Sequence, residues 1–171
     1  MMVITKADIE DLASILQIAK ETFFETFAPH NSQEDMEQYA QDKLTLGKLQ
    51  GELLNPDSQF YILSDAGRAV GYLKVNFGSA QTELHDEASM EIERIYVKSE
   101  YHGKKLGQLL YDKALEVAAG SGVTYIWLGV WEENAKATRF YEKNGFVAFD
   151  KHAFRMGTDE QTDIMMKKVL V

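Results

Sequence analysis

Hydrophobic positions along the chain switch repeatedly between a helical and a strand period. Ile9, Leu12, Ile15, Leu16, Ala19 and Phe23 recur at helical spacing and predict a helix from about Asp8 to Phe27, capped by Asp8. Val3 and Ile4 before it form a short strand candidate. Pro29 and Asn31-Ser32 break the helical pattern, a second helix is expected from Ser32 to about Lys43, and a third from Leu46 to Leu54. After Asn55-Pro56-Asp57 the period shortens. Gln59 to Leu63 and Ala69 to Phe77 suit strands joined by the hairpin turn Asp65-Ala66-Gly67. Gly78 to Ser89 is polar and reads as a mobile loop.

The next stretch is the most informative. Ile92, Ile95, Tyr96 and Val97 mark a strand. Leu106, Leu109, Leu110, Ala114 and Val117 mark a helix from about Lys104 to Ala119, stopped by Gly120-Ser121-Gly122. Val123 to Val130 reads as a buried strand, Ala135 to Asn144 as a helix capped by Gly145, and Phe146 to Phe149 and Thr162 to Val169 as final strands. This order mixes an antiparallel run with a crossover and predicts an α/β or α+β fold.

At 171 residues and 45% hydrophobic content, the chain suits one domain over residues 1–171. It has no cysteine, which removes disulfides, thiolate metal sites and a covalent acyl-cysteine intermediate. The four histidines show no metal-ligand spacing, so no metal is expected. A net charge of -9 argues against a nucleic-acid partner. The acid is concentrated in residues 1–60, with 11 acids against 4 bases, as solvated helix faces or as an entrance for a cation. No stretch approaches the ~20 apolar residues of a membrane span, and the N-terminus has no secretory pattern, so a cytoplasmic location is expected.

Between the strand and helix near residue 100, Gly103 and Gly107 bring the backbone close to a helix N-terminus, whose free N–H groups favour an anion such as phosphate. Neither Gly-x-x-x-x-Gly-Lys-Ser/Thr nor Gly-x-Gly-x-x-Gly is present. The run His102-Gly103-Lys104-Lys105-Leu106-Gly107 after a strand, followed by a strand ending at Val130 and by Asn134-x-x-Ala137-x-x-Phe140-Tyr141-x-x-x-Gly145-Phe146, resembles the GCN5-related N-acetyltransferases. These motifs cover roughly the C-terminal half of the chain.

The resemblance implies a mixed sheet whose strands near Glu91–Val97 and Val123–Val130 splay apart around the arm of acetyl-coenzyme A. It implies that the backbone of Ile95, Tyr96 and Val97 bonds that arm, and that His102, Gly103, Lys104, Lys105, Leu106 and Gly107 hold the diphosphate. His102 stands where Gln or Arg is common in the family. Lys105 replaces a small residue and is expected at a negative φ. Asn134 is implied as a contact to the arm, beside its simpler reading as a helix cap, and Lys143 as a phosphate contact, beside a solvated basic face.

Tyr141 matches the tyrosine that protonates the departing thiolate, although a Tyr-Phe pair also suits core packing. An amine acceptor with a pKa of about 10.4 is neutral in only about one molecule in 10^3 to 10^4 at pH 7, so a base is wanted. Glu91 matches a carboxylate position of the family and shares a strand face with Glu93; the alternative is a pair of exposed strand carboxylates. Without cysteine, direct attack in a ternary complex follows.

The segments Glu91–Val97, Ile126–Glu132, His152-x-Phe154-x-Met156-Gly157 and Glu160–Asp163 resemble the spermidine/spermine N-acetyltransferases of the PaiA type, which implies a polyamine substrate. Another amine as acceptor, or a non-catalytic acyl-coenzyme A sensor, are the competing expectations. The partner expected is a small amine, with a homodimer left open.

Overall fold

The computed structural model describes residues 1–170. Seven strands form one mixed sheet in the order β1-β2-β3-β4-β5-β7-β6: β1 Met2–Lys6, β2 Ser58–Asp65, β3 Arg68–Phe77, β4 Ser89–Val97, β5 Tyr125–Trp131, β6 Val147–Met156 and β7 Asp159–Val169. Five helices flank it: α1 Leu12–Phe27, α2 Gln33–Lys43, α3 Leu46–Leu54, α4 Leu106–Ser121 and α5 Ala135–Lys143. Among the described residues, no helix is long and apolar enough to cross a membrane.

Local signals explain the helix ends. Asp8 closes a capping box on a 3-10 turn, Ile9–Asp11, that leads into α1, so the expected first helix has two parts. Ser32 and Thr45 accept the N–H groups of Asp35 and Lys48 and start α2 and α3 where the sequence places them.

The helices cover opposite faces of the sheet. Leu106, Leu110, Tyr111, Ala114 and Ala118 of α4, with Tyr141 of α5, pack on Leu73, Val75, Met90, Ile92 and Leu128. On the other face, Ile15, Ile18 and Ala19 of α1 and Leu49 of α3 pack on Phe60, Ile62 and Tyr72. Phe23, Phe27 and Met36 extend that layer over Trp131 and Met156.

The sheet opens in its centre. β4 and β5 are parallel but pair only from Ser89–Tyr125 to Ile92–Leu128. On β4 the next residue, Glu93, is the extra residue of a bulge, because Val75 of β3 faces Ile92 while Lys74 faces Arg94. A bulge bends and twists its strand, and β4 turns away while β5 continues alongside β7 as far as Trp131–Asp163. The gap between Glu93–Val97 and Gly129–Trp131 is the expected splay.

Two elements differ from expectation. The last hairpin is longer than Phe146–Phe149 and Thr162–Val169, because β6 is a mostly exposed edge strand in which Asp150, Lys151 and Arg155 interrupt the apolar pattern. Its turn packs on α2: a Cβ on Gly157 would collide with the side chain and Cα of Asp35, so only glycine admits the contact, and Thr158 N–H donates to Asp35 Oδ1 at 3.0 Å. The segment after β3 was expected to be mobile and is instead tied down. Gln81 is buried, accepts from Trp127 Nε1 at 2.5 Å and Ser89 Oγ at 2.9 Å, and donates to the Asp86 carbonyl at 3.0 Å. Polar residues that read as solvated are here the anchors.

Candidate active site

A cavity of about 900 Å3 passes through the central gap. It is lined by Glu91, Ile95, Tyr96, Val97, His102, Gly103, Lys105, Leu106, Gly107, Asn134, Tyr141 and Lys143, so residues expected from four segments of the chain meet at one site. Lys104 does not line it; its ammonium sits 5.0 Å from the Tyr101 ring centroid.

Backbone polarity decides what the β4 rim can bond. Lys98 N–H donates to the Val70 carbonyl on the β3 side at 2.9 Å, and backbone groups alternate sides along a strand. Tyr96, opposite Tyr72, therefore points its N–H and C=O at β3, while Ile95 and Val97 point theirs into the gap. The expectation of three backbone partners is corrected to two. One of these groups is already used: the Val97 carbonyl accepts from His102 Nε2 at 2.7 Å, which fixes the proton on that nitrogen.

Beyond β4, the loop turns through two left-handed residues, Gly103 at φ +83° and Lys105 at φ +60°. Lys105 was expected at a negative φ. It is instead left-handed, at the residue from which α4 departs, at a cost of about 1–2 kcal/mol for a side chain there. Strain of this kind gathers at binding sites. No side chain caps α4, which leaves its first amides free, and a Cβ on Gly103 or Gly107 would meet nothing within 4 Å. Open space in front of unspent, converging N–H groups suits a phosphate.

Across the gap, Asn134 caps α5 by accepting the Ala137 N–H at 3.1 Å, so the cap reading holds and the side chain still lines the cavity. Lys143 and Lys136 bring two cations to the same side. Tyr141 combines core packing with a place on the cavity wall. It packs edge-on against Phe140 and Phe146 and lines the cavity, and burial pushes its phenol well above the usual range, with a smaller push from Tyr111.

Glu91 lies on the opposite face of the sheet from Tyr141, and the two meet only through the gap. Glu91 is 3% exposed, which overturns the alternative of an exposed strand carboxylate. Oε1 accepts from Asn76 Nδ2 at 2.9 Å and from Thr82 N–H at 2.8 Å, and Oε2 accepts from the Thr82 hydroxyl at 2.6 Å. Burial raises its carboxyl above the ordinary range, against the pull of Thr82 and Asn76.

Glu93 has the opposite environment. Burial raises it too, but Arg94 and Lys74 outweigh that effect and hold it at about 2. Lys74 Nζ is 2.7 Å from Glu93 Oε1 and 2.7 Å from Glu52 Oε1. Arg94 Nη2 is 3.1 Å from Glu93 Oε2 and 2.9 Å from Glu52 Oε1. Two neighbouring carboxylates are thus driven apart, one toward holding a proton and one toward permanent charge.

The end of the cavity under α1 and α2 is acidic and aromatic. Trp127, Trp131, Phe27, Phe154 and Tyr39 line it together with Asp163 and His152. His152 Nε2 lies 3.3 Å from Asp163 Oδ2, and its Nδ1 lies 3.0 Å from Glu83 Oε1. Burial raises the Asp163 carboxyl, with His152 opposing.

Sequence reading had assigned no role to Lys74, Asn76, Thr82, Arg94, Asp163 or His152. Arg94, His152 and Asp163 lie in segments that carry the resemblance, and Lys74 and Asn76 alternate with the buried Leu73 and Val75. That pattern reads as a solvated face until α1 and α3 cover it.

The fold and the cavity lead to comparison with known proteins. Residues 12–146 match the acetyltransferase (GNAT) family. The chain belongs to that family. An uncharacterized N-acetyltransferase of Lactobacillus delbrueckii subsp. lactis is 39% identical over 168 residues, which is 98% of this chain and 97% of the relative. The spermidine N(1)-acetyltransferase of Thermoplasma acidophilum is 30% identical over 169 residues, covering 96% of each. The crystal structure of the PaiA N-acetyltransferase of T. acidophilum in complex with coenzyme A superposes with a TM-score of 0.82 at 26% identity, covering 99% of both chains. This GNAT protein is an acetyl-coenzyme A dependent N-acetyltransferase, and its acceptor is an amine.

Proposed function

We propose that this N-acetyltransferase acetylates a primary amine of a polyamine, with spermidine or spermine as the acceptor type. The observation that carries the reading is the composition of the acceptor end: Glu91, Glu93 and Asp163 line it among Trp127, Trp131, Phe27 and Phe154. Carboxylates suit the charged nitrogens of a polyamine, and aromatic faces suit its methylenes and ammonium groups. The likeness to a spermidine acetyltransferase supports the same acceptor class.

In this reading the free amides at the start of α4, with Lys143, hold the coenzyme diphosphate, and the gap-facing backbone of Ile95 and Val97 bonds its arm. The thioester supplies the acetyl group. Glu91 removes one proton from the acceptor ammonium, offsetting a cost of roughly 4 to 5 kcal/mol at pH 7. The neutral amine attacks the thioester carbon. As the C–S bond breaks, the Tyr141 phenol protonates the sulfur, and the proton lost by the new amide nitrogen restores the phenol. The sum is amide, free thiol and one proton released. A raised Tyr141 pKa suits a donor that must stay protonated until a thiolate forms. Base and acid stand on opposite faces of the sheet, matching an amine arriving under α1 and a thiol leaving beside α5.

Thiol release from acetyl-coenzyme A, followed with spermidine, spermine, amino acids, aminoglycosides and an alanine-terminated peptide, tests the proposal. A kcat/KM for the polyamines about 10-fold or more above every other acceptor supports it. Preference for another amine overturns the acceptor. Thiol release with none of them favours the sensor reading.

A further inference from the structure

The hydrogen bonds around Glu91 distinguish its two oxygens. Oε1 accepts two N–H groups, from Asn76 and from the Thr82 backbone, and neither donor can accept a proton in return. Asn76 cannot turn over to relieve this. Its Nδ2 also donates to Glu93 Oε1 at 2.8 Å, and its Oδ1 accepts from Ser58 Oγ at 2.9 Å, so every amide position is occupied in a fully buried side chain. Oε2 meets a single protein group, the Thr82 hydroxyl at 2.6 Å, which can both donate and accept. Thr82 is itself exposed and lies in the segment that Gln81 anchors. A buried carboxylate is thus one hydroxyl away from water.

We propose that Thr82 is the positioning and relay residue for Glu91: its N–H and Asn76 reserve Oε2 as the basic oxygen, and its hydroxyl carries the proton out. The proposal rests on the reading of Glu91 as the base. In the resting site the Thr82 hydroxyl donates to Oε2. When Oε2 takes a proton from the acceptor ammonium, the new O–H turns to the Thr82 oxygen, whose own proton passes to solvent. One O–H bond forms and one breaks at each oxygen, and the carboxylate is restored for the next turnover.

The charged groups around Glu91 are Glu93 and Arg94 on β4, Lys74 on β3, Glu52 on α3, Glu83 in the anchored segment, His152 on β6 and Asp163 on β7. The cations among them are paired with other carboxylates. Among the described residues, none lies within ion-pair distance of Glu91.

The test compares Thr82→Val, which keeps the N–H and loses the hydroxyl, with Thr82→Ser and Glu91→Gln, each measured as a pH profile of kcat and kcat/KM. Thr82→Val is expected to lower kcat about 10-fold, less than the roughly 10^2-fold or more expected for losing the base itself. It also moves the acidic limb of the profile to higher pH, because a donor that favours the charged carboxylate has gone. Thr82→Ser returns both the rate, within about 2-fold, and the limb. The KM for acetyl-coenzyme A stays the same in all three. A Thr82→Val enzyme with wild-type kcat and an unmoved limb overturns the relay, as does a folded Thr82→Ser that fails to restore them. If Glu91→Gln keeps the wild-type rate and limb, the base assignment itself is wrong, and the relay falls with it.

Discussion

Trp127 donates its indole N–H to Gln81 Oε1 at 2.5 Å, and both side chains are buried. That bond fixes the start of the segment between β3 and β4 over the sheet face where Glu91 lies, and so delivers Thr82 to the carboxylate. Gln81→Leu leaves the indole N–H without an acceptor, at about 1–3 kcal/mol, while the Ser89 hydroxyl keeps the Asp86 carbonyl at 2.8 Å. The expected result is a lower urea midpoint and faster amide hydrogen exchange over residues 78–88. An unchanged midpoint shows that this anchor contributes nothing to the fold.

Removing the Tyr141 hydroxyl tests the acid without disturbing its packing, because Phe keeps the edge-on contacts with Phe140 and Phe146. Tyr141→Phe is expected to lower kcat about 10- to 1000-fold while the dissociation constant of coenzyme A stays near wild type. Equilibrium binding and steady-state thiol release together make the check. Wild-type turnover in the variant eliminates Tyr141 as the proton donor.

Acid stability separates the two carboxylates. Glu93 is held at about 2, below its ordinary 4.5, so its contribution is present above pH 4.5 and is lost as the pH falls toward 2. That shift corresponds to roughly 3 kcal/mol. Glu91 is raised, so its term has the opposite sign and weakens the fold as the pH rises. Glu93→Gln, which leaves Lys74 and Arg94 with Glu52 alone, is expected to destabilise the protein by about 3 kcal/mol at neutral pH and to flatten the loss of stability in acid. Urea melts between pH 2 and pH 7 measure both effects.

Lys105 sits left-handed at the start of α4. Lys105→Gly relieves that strain and is expected to raise stability by about 1 kcal/mol. Lys105→Pro, locked near φ -65°, cannot take the turn and is expected to abolish coenzyme A binding. Calorimetric titration of both variants reads the difference. Tight binding by the proline variant shows that the left-handed turn is not needed.

The boundary between sequence and structure follows the range of the forces involved. Hydrophobic period, Ser32 and Asn134 as caps, and the stops at Asn55-Pro56 and Gly120–Gly122 act within a turn or two of chain, so most elements were legible. The cavity loop and Tyr141 were legible because their motifs are short and contiguous. The strand character of His152 and its neighbours was hidden, since an exposed edge strand has little apolar alternation.

Sequence alone therefore determined the mixed fold, the family and the loop, strand and tyrosine that flank the gap. Tertiary structure alone decided that Glu91 and Tyr141 line one cavity from opposite faces of the sheet, that Tyr96 turns its backbone away, and that Asn76 and Thr82 meet different oxygens of one carboxylate. The physical reason is that those properties depend on ladder parity, on the bulge at Glu93 and on burial by helices distant in sequence. No local residue pattern encodes them.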